Sequence, residues 1–273
     1  MPCVTEGAAA LRLRVMSAAV LAPVAVAAAL AGGVVFAGLV LLVALGLAWE
    51  WGTLVGVPAW GGWAAVAAAW LAEVTHGPVL ALGVLGIGAV LAWAVVRHGR
   101  DSTSGQWSAL GAVYVGLPAL SLLALRARPE DGAVLVIGLL LVVWGTDTGA
   151  YVVGRTVGGF RLAPRWSPGK TWAGAVGGVA GAGLASVLGV AAGFAETPIF
   201  VIGLTIVLSI VSQVGDLAES VVKRHFGRKD SGWIVPGHGG LFDRLDGLLA
   251  AAPVLAVIMA MGGTEPWLVK GVP

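Results

Sequence analysis

Charge is the scarcest property of this sequence. Across 273 residues there are 16 Lys and Arg against 14 Asp and Glu, so 11% of the chain is charged while 58% is hydrophobic. With a mean hydropathy of +0.95, that balance excludes an ordinary soluble domain. A lone cysteine, Cys3, excludes an internal disulfide and argues against a thiolate metal site or a Cys-rich scaffold. Ten-residue segments of alternating polarity are absent, which excludes a transmembrane barrel. No Pro/Ser-rich linker, long charge block or internal repeat divides the chain, so residues 1–273 read as one domain. A net charge of +2 reports membrane topology before partners, and no nucleic-acid partner is expected.

What the sequence has instead is a succession of apolar runs long enough for helices that cross a hydrocarbon core of roughly 30 Å. The expected fold class is all-α, a polytopic membrane protein with about nine transmembrane helices. Arg12 and Arg14 precede the first run, Val15 to about Leu30, which alone resembles a signal peptide but is followed at once by a second run. The other spans are expected at roughly 34–55, 58–74, 77–96, 106–125, 132–153, 173–194, 198–222 and 246–262. The third is the least apolar, with Gly61, Gly62 and an Ala-rich stretch. Many of the 43 glycines need no role beyond letting membrane helices approach closely.

Nine spans place the termini on opposite sides and divide the basic residues unequally. Thirteen fall on the side of Arg12, Arg97, Arg155 and Lys223, and three (Arg126, Arg128 and Lys270) on the other. That asymmetry predicts a cytoplasmic N-terminus and two cytoplasmic polar loops, 155–172 and 223–245.

The candidate chemistry gathers at those loops. Ser212, Asp216, Glu219, Ser220 and Lys223 recur at three or four residues, one polar stripe on an otherwise apolar helix. A carboxylate at membrane depth costs several kcal/mol unless paired, so Asp216 and Glu219 are functional candidates; the alternative is an ion pair with Lys223 or Arg244 that only joins helices. The stripe runs into PGHGGLFDRLD, whose glycines Gly239 and Gly240 let backbone N–H groups approach an anion, with Lys223, Arg224, Arg228 and Lys229 as countercharge. Asp243 and Asp246 follow at the start of the last helix, where capping is the rival role. In the earlier loop, Asp147 ends an apolar run, and Ser167, Lys170 and Thr171 suit phosphate oxygens. GKT at 169–171 is not a Walker A loop, because Pro164 stands where its first glycine belongs and no strand is expected before it. Among the histidines, His238 between two glycines is the best phosphate donor, a loop-stabilising role being the alternative.

The stretch SVVKRHFGRKDSGWIVPGHGGLFDRLD, Ser220 to Asp246, closely resembles the signature of the phosphatidate cytidylyltransferases, also called CDP-diacylglycerol synthases. GDLAES before it, DTGAYVVGR and SPGKTW in the earlier loop, AWEW at 48–51 and GAVYVGLPALSLLALR also look like this family, in the same order, from about residue 15 to 260. Gly169 and Ala173 depart from the commonest pattern, where Lys and Glu are frequent, and put only fine contacts of that loop in doubt. The resemblance implies a dimeric enzyme of the bacterial inner membrane, with its active site facing the cytoplasm, that uses CTP and phosphatidate and releases pyrophosphate. It implies magnesium, with a monovalent cation such as K+ at a paired site, and matches the family's metal-binding aspartates to Asp216 and Asp243, with Glu219 and Asp246 as further candidates. Lys223, Arg224 and His238 are then candidates for catalysis, and Asp147, Ser167, Lys170, Thr171, Ser220, Lys229, Gly239, Gly240 and Arg244 for substrate binding.

Bottom-up chemistry agrees with that implication. A phosphate monoester is already anionic, so attack on CTP needs charge neutralisation more than a strong base. Rival readings are another CTP-dependent lipid enzyme, such as a polyprenol kinase or an ether-lipid cytidylyltransferase, and an ion-coupled transporter. The transporter is disfavoured because the polar residues gather at one face and no repeat is evident. The topology is directly testable: with Cys3→Ser as background, Arg161→Cys resists an impermeant thiol reagent added outside intact cells. Labelling from outside inverts the orientation.

Overall fold

The computed structural model describes residues 19–191, 198–233 and 239–262, with the backbone alone for 198–200. Cys3, Arg12, Arg14 and His238 lie outside the described residues. The chain forms α1 (Ala19–Ala31), α2 (Gly33–Val55), α3 (Ala59–His76), α4 (Pro78–Gly99), α5 (Ser102–Arg126), α6 (Gly132–Thr156), α7 (Trp172–Ala191), α8 (Pro198–His225) and α9 (Phe242–Met261). Each expected apolar run is a helix, and seven of them, α2 and α4 to α9, are long and apolar enough to cross a membrane. This is an integral membrane protein. α3 falls short because Gly and Ala dilute its hydropathy, and α1 because its described turns are too few to span the core.

The expected all-α architecture has one exception among the described residues. Between α6 and α7, β1 (Arg161–Ala163) and β2 (Ser167–Thr171) pair antiparallel, with Arg161 opposite Thr171 and Ala163 opposite Ser167. The polar loop, in which no strand was expected before GKT, is thus a small hairpin, closed by the Trp166 N–H donating to the Ala163 carbonyl at 3.2 Å.

Helix contacts place the chemistry at one end of the bundle. The C-terminal ends of α2, α4, α6 and α8, the N-terminal ends of α5, α7 and α9, and the hairpin all meet there. Arg100 donates to the Gly56 carbonyl beyond α2 at 2.5 Å, and Arg224 on α8 donates to the Trp166 carbonyl of the hairpin at 3.2 Å. Trp51 on α2, Tyr114 on α5 and Phe242 on α9 stack together just inside this end, with ring centroids 5.4 to 5.9 Å apart. The Trp51 indole N–H is satisfied by the Trp107 carbonyl at 2.8 Å, which a buried indole requires. At the opposite end the Arg126 guanidinium closes α1, donating to the carbonyls of Ala29 at 2.5 Å and Leu30 at 3.1 Å. A cation there complements the negative end of the helix dipole.

α6 and α7 make the tightest pair, because glycines face each other across it. A Cβ on Gly149 would overlap the Gly177 carbonyl and stand 3.0 Å from the Gly181 Cα, and one on Gly145 would stand 2.9 Å from the Gly181 carbonyl. This is close approach through small residues, the packing that substitutes for a hydrophobic drive inside lipid. Gly138, on the same helix, has no such neighbour within 4 Å. Gly149→Ala therefore destabilises the protein by about 1–3 kcal/mol through overpacking, while Gly138→Ala leaves it near wild type. Melting of the two variants in detergent, followed by tryptophan fluorescence, separates them.

Candidate active site

The polar end is built around two buried knots that share Ser231 and the start of α9. The first contains Asp243, in the first turn of α9. Its Oδ1 accepts from Lys223 Nζ at 2.5 Å; its Oδ2 accepts from the backbone N–H of Ser231 at 3.0 Å and of Gly240 at 2.9 Å and from the Ser231 hydroxyl at 3.0 Å. Lys223 Nζ also lies 2.7 Å from Glu219 Oε2, one turn back on α8. That second contact is an ion pair by distance only, since neither Glu219 oxygen is in hydrogen-bond geometry with a partner among the described residues. One buried ammonium thus serves two buried carboxylates.

The second knot belongs to Glu50, fully buried at 0% exposure on α2. Oε1 accepts the Leu241 N–H at 2.8 Å, and Oε2 accepts the Phe242 N–H at 3.0 Å and the Ser231 hydroxyl at 3.3 Å. A carboxylate from another helix therefore caps α9, satisfying N–H groups that a helix start leaves open. Gly232 and Gly240 make room: a Cβ on either would stand 2.6 or 2.8 Å from a Glu50 carboxylate oxygen. The sequence reading missed Glu50 and Ser231 as site residues. The signal for Glu50 was present, a single carboxylate inside the apolar run VALGLAWEWGTLV.

Three carboxylates meet beside these knots. Asp216, Glu219 and Asp246 each offer one oxygen, and the three oxygens lie within 4.8 Å of one another. Asp216 and Glu219 come from the predicted stripe, one turn apart, and Asp246 comes from the first turns of α9. Lys170 Nζ on β2 sits 2.5 Å from Asp216 Oδ2, which fastens the hairpin to α8. The expected pairing of Asp216 with Asp243 is not what the side chains assemble. Asp243 is committed to Lys223 and to three donors of the loop, and the carboxylates that gather with Asp216 are Glu219 and Asp246. The donor set fits a divalent cation: all ligand atoms are carboxylate oxygens, and both Glu219 oxygens are buried without a hydrogen-bond partner.

The remaining expected residues divide by their contacts. Thr171 is buried and its Oγ1 accepts the Gly174 N–H at 3.0 Å, so it caps α7. Arg224 is held on two carbonyls, Trp166 at 3.2 Å and Arg228 at 3.1 Å, and braces the hairpin against the end of α8. Ser220 is buried beside Glu219, Lys229 is exposed, and Ser167 opens β2 half-buried. Gly239 takes φ 84 and Gly240 donates to Asp243, so this glycine pair shapes the turn into α9.

Asp147 and Arg244 mark a different feature. A cleft of about 450 Å³ runs between α1, α2, α5, α6 and α9. Its walls are apolar, including Leu21, Phe36, Val115, Trp144 and Leu248, and its polar lining is Asp147, Asp243 and Arg244. Asp147, on α6, is exposed to this cleft. Asp243 thus touches both the cleft and the Lys223 knot.

The sequence model of the Cytidylyltransferase family matches residues 12–261. A phosphatidate cytidylyltransferase from Brucella suis biovar 1 (strain 1330) is 41% identical over 262 residues, covering 92% of this chain and 94% of that protein. One from Pseudomonas aeruginosa is 38% identical over 267 residues, covering 93% and 98%. One from Bacillus subtilis (strain 168) is 39% identical over 153 residues, covering 56% and 57%.

The buried ammonium between Glu219 and Asp243 has a measurable consequence. Removing one partner of a buried ion pair leaves uncompensated charge and costs about 3–5 kcal/mol. Lys223→Ala lowers the melting temperature in detergent markedly, whereas Lys229→Ala, at an exposed position, leaves it within error of wild type. Equal stability of the two variants contradicts the Lys223 bridge.

Proposed function

The chain belongs to the cytidylyltransferase family, and from that premise we propose that it transfers the cytidylyl group of CTP to phosphatidate. The products are CDP-diacylglycerol and pyrophosphate, a step of phospholipid biosynthesis. The observation that carries this reading is the apolar cleft whose polar lining, Asp147, Asp243 and Arg244, adjoins the Lys223 knot. Such a cavity suits a substrate with acyl chains and an anionic head. Arg244 is the countercharge for that head, and Asp147 and Asp243 bound it from the sides.

In the reaction a phosphate oxygen of phosphatidate forms a bond to the α-phosphorus of CTP, the bond from that phosphorus to the oxygen bridging to the β-phosphorus breaks, and pyrophosphate leaves with those electrons. The difficulty is to bring two anions together, so catalysis rests on positioning and charge. Asp216, Glu219 and Asp246 would hold magnesium, which would supply positive charge for the triphosphate and for the departing pyrophosphate. Lys170, on the hairpin, and Lys229, on the loop after α8, are donors for triphosphate oxygens, with the hydroxyls of Ser167 and Ser220 and the backbone of Gly239 beside them. Lys223 holds Asp243 and Glu219 apart in charge, so that α8 and α9 present their acids together. The reading places this site on the cytoplasmic face of a bacterial inner membrane, where CTP meets lipid. A homodimer and a monovalent cation such as K+ are carried by the family resemblance alone.

Purified protein given CTP labelled in the α-phosphate, phosphatidate and magnesium yields a labelled CDP-lipid with one pyrophosphate per turnover. Chelation of the metal abolishes it, and Asp216→Asn and Asp246→Asn each lower turnover by about 10²-fold or more, as expected for charge stabilisation lost at the reacting phosphates. Release of CDP with phosphorylation of a polyprenol identifies a lipid kinase instead and defeats the proposal.

A further inference from the structure

We propose that Glu50 is a positioning residue for the carboxylate group, acting through the first turn of α9; this rests on the cytidylyl-transfer reading given above. Glu50 touches none of the three gathered acids. It holds the backbone that carries one of them. Leu241 and Phe242, whose N–H groups donate to Glu50 at 2.8 and 3.0 Å, precede Asp246 by about one helical turn. The third donor to Glu50, the Ser231 hydroxyl, also donates to Asp243 at 3.0 Å, and Asp243 in turn accepts from Lys223, which lies 2.7 Å from Glu219. A continuous chain of contacts therefore runs from α2, through the loop before α9, to both helices that supply the acids.

The chemistry of this arrangement makes the charge at Glu50 matter as well as its shape. Carboxylate oxygens accept only, and Glu50 faces three donors: two backbone N–H groups at the positive end of the α9 dipole and one hydroxyl. An amide of the same size offers one accepting oxygen and an NH2 that would oppose a donor. Gly232 and Gly240 close around the carboxylate, so that a Cβ on either would stand 2.6 or 2.8 Å from it, and Glu50 is cut off from bulk solvent. The turn into α9 must shift, and Asp243 and Asp246 shift with it. Three acids collected from two helices hold an ion only while those helices keep their relative position. Loss of an outer partner of a ligand set is typically felt as about 10–100-fold in metal affinity or activity.

The test compares wild type with Glu50→Gln in detergent by three measurements: melting, binding of Mn2+ followed by electron paramagnetic resonance, and steady-state kinetics with CTP and phosphatidate. The expected result for Glu50→Gln is a folded protein whose Mn2+ dissociation constant and half-activating Mg2+ concentration both rise about tenfold or more. Its kcat falls. Glu50→Ala, which leaves the Leu241 and Phe242 N–H groups without their partner, goes further in the same direction wherever it folds. If Glu50→Gln fails to fold, or melts lower while kcat and Mn2+ affinity are unchanged, Glu50 only ties helices together and the proposal is overturned. Absence of a CDP-lipid product from the wild type defeats the cytidylyl-transfer reading separately, and the Mn2+ measurement still decides the role of Glu50.

Discussion

A single ammonium group, Lys223 Nζ, reconciles two buried acids, and the polar end of the bundle is organised by that constraint. Glu219 and Asp243 lie on different helices and neither is exposed enough for water to solvate it freely. In an apolar surrounding, each would neutralise or push its helix away without a countercharge. With Lys223 between them, α8 and α9 are drawn together at the point where Asp216 and Asp246 also converge. Glu219 lies one turn from Lys223 on α8, so it is the contact to Asp243 that ties α9 to α8.

Everything farther from this end is held by shape. The α6 and α7 glycines let two backbones touch, and the stack of Trp51, Tyr114 and Phe242 fills the space between α2, α5 and α9. Apolar packing inside lipid gains little from excluding water, so contact area and close fit carry the load. The division is physical: charge fixes the site, and small residues and aromatic faces fix the scaffold that presents it.

Much of this was legible from residue spacing. The helices follow from apolar runs, and the stripe of Asp216, Glu219, Ser220 and Lys223 follows from a helical period of three to four. The long-range partners were not legible, because spacing along a chain says nothing of which helix stands opposite. Asp246 joins Asp216 only because α9 packs on α8, and Asp243, which the family resemblance matched to a metal ligand, is instead engaged by Lys223 and the loop donors. Thr171 read as a phosphate donor; a hydroxyl at the start of a helix also has a backbone N–H three residues on within reach, and it accepts that of Gly174. Glu50 was overlooked for the opposite reason: its neighbours in sequence are all apolar, and its three donors arrive from about 190 residues away. The hairpin escaped because Ser-Pro-Gly-Lys-Thr carries no alternation that would mark a strand.

The cleft between α1, α2, α5, α6 and α9 changes what concentration means for this protein. A lipid that enters between helices arrives by diffusion in two dimensions, and its supply is a mole fraction of the surrounding leaflet, not an amount dissolved in water. For the proposed reaction the lipid product keeps the same acyl chains as the substrate, so it competes for the same apolar walls on leaving, while pyrophosphate departs into water and is diluted at once. The two products therefore exert back-pressure in different phases. Dilution of the aqueous compartment relieves one of them and leaves the other untouched.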